Sequence, residues 1–200
     1  MKRLFAALTA ALMVLSFAGT ALAAPPSTAP GKNPLICSEA LPENCTIVNK
    51  NSAVIDTTIG GGAALYYEGF NSSWYGVKTS LVKDLSNTVT GDPLGIDPRW
   101  SIPIDDRTDP TVGDGYTDYF VFVTFADCNN GFGLVDVIND PTCTIYAPNN
   151  VTYPNWSQFA QLNTSTYIAL EDNYTFIIAD GSGAPGVWTI SNVKVGKPGK

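Results

Sequence analysis

The residues best suited to chemistry are acidic and lie close together in one loop-rich segment. They are interleaved with glycine and proline, and they comprise Asp105, Asp106, Asp109, Asp114 and Asp118. Calcium binds carboxylate and backbone carbonyl oxygens on sharply turning segments, which this spacing can supply. The spacing differs from an EF-hand loop, and no glutamate closes it. The segment predicts a structural calcium site, and the alternative is that these aspartates only form solvated turns.

A second set of candidate residues is aromatic and lies near predicted loops. It comprises Trp74, Tyr75, Trp100 and Tyr116, with Asn71 close to the first two. Aromatic rings can stack on the C–H faces of sugars, while amides and carboxylates bond the sugar hydroxyls. We expect Trp74 and Trp100 to be exposed and to take part in such a surface. The alternative is that the rings belong to the core, which is the commoner place for any single large aromatic side chain.

The sequence offers little for catalysis. It contains no histidine, which removes the usual Ser-His and Cys-His nucleophile pairs. There is no Gly-x-Ser-x-Gly elbow or phosphate-binding glycine loop, and Gly181-Ser182-Gly183 lacks the rest of either pattern. A pair of carboxylates for glycoside cleavage is a further alternative among the 18 acidic residues. A non-catalytic protein is therefore favoured over an enzyme.

Four cysteines, Cys37, Cys45, Cys128 and Cys143, predict two disulfides in an exported chain. Three connectivities are possible. We favour the local one, Cys37–Cys45 and Cys128–Cys143, because each pair brackets turn-forming residues. The spacings match no zinc pattern, which disfavours a metal site.

The N-terminus has the pattern of a secretory signal peptide. A basic start, Met1-Lys2-Arg3, precedes an apolar stretch that ends at Ala21-Leu22-Ala23, so residues 1–23 are expected to be removed. Residues 24–34 are a proline-rich tail that we expect to be disordered. Removal of Lys2 and Arg3 changes the formal net charge from −7 to −9, which argues against nucleic acid and anionic membranes as partners. We expect a secreted, extracellular or periplasmic protein without membrane insertion.

Short β-prone runs separated by glycine, proline, asparagine and aspartate predict an all-β fold. A hairpin is predicted at 45–59, a central strand at 119–126 and a helix of one or two turns at 156–162. Residues 73–89 are ambiguous, and their spacing slightly favours a short helix over a strand. The sequence as a whole predicts one β-sandwich of jelly-roll type over residues 35–197, with long loops and at most one or two short helices.

Residues 174–195 contain two β-rich runs separated by a glycine- and proline-rich segment, and they predict paired strands. In the second run the apolar residues change parity near Ser191 and Asn192. A change of parity inside a strand predicts a β-bulge at that point.

Parts of residues 156–195 resemble the closing portion of galactose-binding-like jelly rolls, the fold of many carbohydrate-binding modules. The similarity lies in Trp156-Ser157-Gln158-Phe159, in Phe176–Asp180 and in Gly186–Val195. The resemblance implies the fold, a glycan-binding role and often a structural calcium, but it carries over no binding residue.

These observations favour a secreted, non-catalytic protein that binds an extracellular carbohydrate. The main alternative is a structural or adhesive cell-surface or matrix protein without a small ligand. A carboxylate-pair glycosidase or lyase comes third.

Overall fold

The computed structural model of the protein describes residues 35–38, 42–58, 60, 62–67, 74, 76–91, 98–108, 116–128, 133–169, 176–181 and 185–196. Within these residues there is one α-helix, α1 (Trp156–Leu162), and the strands are, in chain order, β1 (Leu35–Cys37), β2 (Cys45–Asn49), β3 (Ser52–Asp56), β4 (Ala63–Tyr67), β5 (Leu85–Gly91), β6 (Arg99–Asp106), β7 (Tyr119–Thr124), β8 (Gly133–Asp136), β9 (Ile145–Ala147), β10 (Val151–Tyr153), β11 (Thr166–Ile168), β12 (Phe176–Gly181) and β13 (Val187–Val195).

The strands form two antiparallel sheets. In the described chain the large sheet has eight strands in the order β1-β4-β12-β6-β7-β9-β10, and β11 pairs with the C-terminal half of β6. The small sheet has five strands in the order β2-β3-β13-β5-β8. The prediction of an all-β fold with little helix is therefore confirmed, as are the hairpin at 45–59 and the interior strand at 119–126.

The two sheets pack face to face around one apolar core. Trp100 of β6 in the large sheet is fully buried, and its indole N–H donates to Oδ1 of Asn87 on β5 in the small sheet at 2.8 Å. Side chains alternate between the two faces of a strand, so in β7 Val121 and Val123 are buried in the core while Phe122 lies on the opposite face. The β-sandwich prediction is confirmed by this arrangement.

Helix α1 packs against the Thr79–Leu81 turn and β10. Asn155 is the N-cap of the helix, and its side-chain oxygen accepts a hydrogen bond from the backbone N–H of Gln158 at 3.0 Å. The indole N–H of Trp156 donates to the backbone carbonyl of Thr79 at 3.1 Å, which joins the helix to a turn distant in sequence. The predicted short helix at 156–162 is confirmed.

The helix favoured over residues 73–89 is wrong for the residues described there. The only helical part is a 3-10 turn at Thr79–Leu81, and β5 begins at Leu85. Leu81, which the helical spacing assigned to the apolar face, is 46% exposed. Leu85, Asn87 and Val89 are at most 1% exposed and alternate along the chain, so the side of this segment that faces the core has the two-residue period of a strand; Ser86, on the other side, is 4% exposed.

The two C-terminal runs form strands, but the prediction that they pair with each other is wrong. Strand β12 pairs with β4 and β6 in the large sheet, whereas β13 pairs with β3 and β5 in the small sheet. Each strand therefore has two other partners, and the two strands belong to different sheets. The predicted bulge is confirmed, because the register of β13 shifts between Ser191 and Lys194, and Asn192 has a φ of 51°.

Both disulfides have the predicted local connectivity. Cys37–Cys45 joins β1 of the large sheet to β2 of the small sheet, and Cys128–Cys143 joins the turn after β7 to the segment before β9. Two disulfides are typical of proteins in an oxidising, extracellular environment. Among the described residues, no helix has the length and apolar character needed to cross a bilayer.

Candidate functional site

The expectation that Trp74 and Trp100 are exposed is wrong. Trp74 is 4% exposed and Trp100 is fully buried. Both indoles make edge-to-face contacts with Phe176 of β12, at centroid distances of 5.4 and 6.4 Å. A ring enclosed by the core has no face left for a ligand, so these two residues stabilise the sandwich.

The remaining members of the predicted aromatic set do not form one surface in the described chain. Tyr116 is 61% exposed, in agreement with a position at the surface. Asn71 and Tyr75 lie outside the described residues. A sugar-binding surface therefore has to be sought from the exposed aromatic residues that the structure does bring together.

Asp105 is turned into the protein. Its side chain is fully buried, and its Oδ2 accepts the Nε–H of Arg107 at 2.8 Å, while its Oδ1 has no hydrogen-bond partner. The guanidinium group of Arg107 lies 4.0 Å from the ring centre of Tyr167, and the ammonium group of Lys78 lies 5.9 Å from the same centre. Asp105 thus holds Arg107 against Tyr167.

The other described aspartates of the predicted calcium site bond to backbone groups. Asp118 accepts the backbone N–H of Asp106 at 2.7 Å, and Asp106 accepts that of Thr108 at 3.1 Å. No three acidic side chains of the described residues are grouped so that they could share a metal ion. Asp109 and Asp114 lie outside the described residues, and calcium binding stays a prediction that depends on them.

The outer face of the large sheet carries a group of aromatic side chains that we call the outer aromatic strip: Phe120, Phe122 and Tyr146. Phe120 and Phe122 alternate with the buried valines of β7, and Tyr146 of β9 is paired directly with Phe122. The rings of Phe120 and Phe122 are stacked, with centroids 6.4 Å apart. Both phenylalanines are half-buried, and Tyr146 is 37% exposed.

A carboxylate borders the outer aromatic strip and fixes its most exposed ring. Oδ2 of Asp127 accepts the Tyr146 hydroxyl at 2.7 Å and the Thr124 hydroxyl at 2.6 Å. The pKa of Tyr146 is raised, first because its phenol donates to Asp127, and further by partial burial and by the negative charge of that carboxylate. Tyr146 therefore stays a neutral phenol over the physiological pH range.

Arg99 provides a cation at the other side of Phe122. It lies on the outer face of β6, and its guanidinium carbon is 4.7 Å from the ring centre of Phe122. The strip thus combines an exposed ring, a carboxylate acceptor and a guanidinium donor. These are the groups that orient a hydroxyl-rich ligand on an aromatic surface.

The disulfide Cys128–Cys143 positions this site. Asp127 immediately precedes Cys128, and Cys143 lies at the start of the segment that leads to Tyr146. The covalent link therefore holds the carboxylate and the tyrosine on neighbouring chain segments at a fixed separation. The strip requires no loop of its own, because it lies on strands and one adjacent turn.

Sequence reasoning missed Phe122, Tyr146, Asp127 and Arg99 as candidate binding residues. The signal present was the alternation in β7, where Phe120 and Phe122 occupy one parity and Val121 and Val123 the other. Alternation shows that the two faces differ, but it does not show which face the second sheet covers. That depends on pairing with strands that are distant in sequence.

Comparison with protein-family models, with curated proteins and with solved structures finds no match for this chain.

Proposed function

We propose that the protein is secreted, carries no catalytic activity and binds an extracellular carbohydrate at the outer aromatic strip. The observation that supports this most is the geometry around Tyr146, an exposed ring whose hydroxyl is held by the Asp127 carboxylate at 2.7 Å. The disulfides and the signal-like residues 1–23 support secretion.

The strip meets the physical requirements of a sugar-binding surface. Tyr146 offers a ring face for the C–H groups of a pyranose, and Asp127 offers carboxylate oxygens to hydroxyl donors. Arg99 brings N–H donors over the neighbouring Phe122 ring. All of these groups lie on a paired sheet or on a turn anchored by a disulfide, so little ordering entropy is lost on binding.

The edges of the sheets favour ligand binding over the structural or adhesive alternative. An assembly protein that pairs strands with a neighbour needs a long, regular edge. In the described chain the large sheet ends at β1 and β10, which have three residues each, and β8 of the small sheet has four. The five-residue edge strand β2 has a register shift between Ile47 and Asn49, which interrupts regular pairing.

The test is a glycan array probed with the mature chain, with Tyr146→Ala as the site variant and Leu134→Ala as the matched control. Leu134 is 53% exposed on the edge strand β8 of the other sheet, so its loss removes a comparable exposed apolar side chain. We expect Tyr146→Ala to weaken glycan binding by about tenfold or more, the loss of one stacking residue. The control should bind like the wild type.

A third variant, Tyr116→Ala, tests the aromatic surface that the sequence predicted instead of the outer aromatic strip. Tyr116 belongs to that predicted surface, is exposed and lies outside the strip. A loss of binding with Tyr116→Ala, and none with Tyr146→Ala, would move the site to the loop before β7. Failure of the wild-type chain to bind any glycan would overturn the proposed function.

A further inference from the structure

Six segments of the chain have the pattern that accepts an N-linked glycan, Asn-x-Ser/Thr without proline in the middle. Their asparagines are Asn44, Asn71, Asn150, Asn155, Asn163 and Asn173. The chain has 15 asparagines, and its 33 serines and threonines among 200 residues would produce roughly two or three such motifs by chance. The motif is therefore enriched in a chain whose N-terminus has the pattern of a secretory signal.

Three of these asparagines are engaged in the fold. Asn44 is 1% exposed, and its Nδ2 donates to the backbone carbonyl of Gly60 at 3.0 Å. Nδ2 of Asn163 donates to a backbone carbonyl of α1 at 2.8 Å. Asn155 is the N-cap of α1, and the middle residue of its motif, Trp156, is 3% exposed. A bulky glycan at these positions would disturb the packing or the hydrogen bonds of the fold.

Asn150 is different, because its whole motif is accessible from outside the folded domain. It ends the turn Pro148–Asn150 between β9 and β10, is exposed, and makes no side-chain hydrogen bond within the described residues. Asn149 and Asn150 both have a φ of 60°, the left-handed conformation that asparagine tolerates in turns. Val151 and Thr152, which complete the motif, are exposed as well.

We propose that Asn150 is an N-glycosylation site, modified by an oligosaccharyltransferase as the chain is secreted. Nδ2 of Asn150 forms a bond to C1 of the first sugar of a polyprenyl-pyrophosphate-linked oligosaccharide. The bond from C1 to the pyrophosphate oxygen breaks, the polyprenyl pyrophosphate leaves, and one Nδ2 proton passes to a base of the transferase. This inference rests on the secretion in the proposed function and is independent of sugar binding at the outer aromatic strip. Asn71 and Asn173 lie outside the described residues.

The glycan also has a structural consequence, because Asn150 lies beside an edge of the large sheet. Strand β10 is the last strand of that sheet in the described chain, and Asn150 immediately precedes it. A bulky, hydrated group next to an edge strand hinders a second chain from pairing with that strand.

The test is secretion of the full chain from cells that contain an oligosaccharyltransferase, followed by mass spectrometry of the secreted protein. Peptide N-glycosidase in heavy-oxygen water converts each glycosylated asparagine to a labelled aspartate, which identifies the occupied positions. We expect the label at Asn150 in the wild type. Thr152→Ala destroys the motif but keeps Asn150, so the label there should be lost, whereas Thr152→Ser keeps the motif and should retain it.

Asn149→Asp is the matched control. Asn149 is an exposed neighbour with the same φ, and it belongs to no motif. Aspartate has nearly the same shape and also tolerates the left-handed conformation, so the label at Asn150 should remain. Equal melting temperatures of the variants after removal of the glycan establish that all of them are folded.

The outcomes distinguish this inference from the proposed function. If the chain is secreted without a glycan, or carries glycans only at other asparagines, the assignment of Asn150 is overturned while secretion and sugar binding stand. A label at Asn150 that survives Thr152→Ala overturns the assignment too. If the wild-type chain stays inside the cells, the secretion in the proposed function is overturned, and the inference with it.

Discussion

Trp100 was expected to bind a ligand, and the structure instead predicts a specific and measurable role for it in stability. Its indole N–H donates to Oδ1 of Asn87, which is the single hydrogen bond between these two buried side chains, and Nδ2 of Asn87 already lacks a partner. Trp100→Phe would leave the whole carboxamide buried without a hydrogen bond. We expect the free energy of unfolding to fall by about 1–3 kcal/mol because Oδ1 of Asn87 loses its hydrogen bond. The smaller ring should lower it further, on the order of 1 kcal/mol.

Asn87→Leu has the converse effect. It removes both polar atoms of the carboxamide, but it leaves the indole N–H of Trp100 buried and unpaired, at a cost of about 1–3 kcal/mol. The double variant has neither the donor nor the acceptor, and replacement of both partners by apolar groups is close to neutral. The two substitutions together should therefore destabilise less than the sum of the single effects, by about 2–6 kcal/mol, because both costs of an unpaired buried group are absent from the double variant.

Urea unfolding followed by far-UV circular dichroism, with both disulfides intact, measures this double-mutant cycle. The matched control is Trp156→Phe combined with Asn87→Leu. Trp156 is also buried, but its indole N–H donates to the backbone carbonyl of Thr79, so these two changes should be additive within about 0.5 kcal/mol. Additivity of the Trp100 and Asn87 changes to the same precision would refute the hydrogen bond between the sheets.

Three further predictions concern stability. Burial, with smaller contributions from nearby charges, raises the pKa of Tyr119 to about 12. The contribution of the neutral phenol to the free energy of unfolding should therefore be fully present below pH 10 and should be lost between pH 10 and 12. We expect this loss to be about 1 kcal/mol, because the side chain is only half-buried and solvent screens part of the effect. Tyr119→Phe should reduce this fall in alkaline urea titrations. Asn155→Ala removes the acceptor for the Gln158 N–H and should cost about 1 kcal/mol in urea unfolding. Gly91→Ala should cost more than about 2 kcal/mol in the same assay, because a Cβ there clashes with the backbone carbonyl oxygen of Val187 and Gly91 has a φ of 129°.

The parts of the fold that were predicted correctly depend on local information. The hairpin at 45–59 follows from β-branched residues around an Asn-rich turn, and the disulfide Cys128–Cys143 closes over a short separation. The bulge near Asn192 follows from a change of parity within one strand. Each of these features is determined by residues that are close in sequence, so the sequence pattern was sufficient.

The errors concern partners that are distant in sequence. Strands β12 and β13 are adjacent in the chain, yet they lie in opposite sheets because each pairs with strands far away. The same limit explains Trp100: it follows a sequence rich in Gly, Asp and Pro, but β6 begins at Arg99 and strand alternation places the indole in the core. The site was missed for this reason too, because exposure of Tyr146 depends on the sheet that covers the opposite face.

The distribution of aromatic residues determines how binding variants can be interpreted. All four tryptophans of the chain are at most 4% exposed, so substitution of any of them changes the packing of the core. Tyr146, in contrast, is 37% exposed and lies on the outer face, where its removal creates no cavity between the sheets. A loss of glycan binding in a tryptophan variant would therefore not identify a binding site, because partial unfolding gives the same result. A loss in Tyr146→Ala at unchanged melting temperature can be assigned to the ligand contact itself.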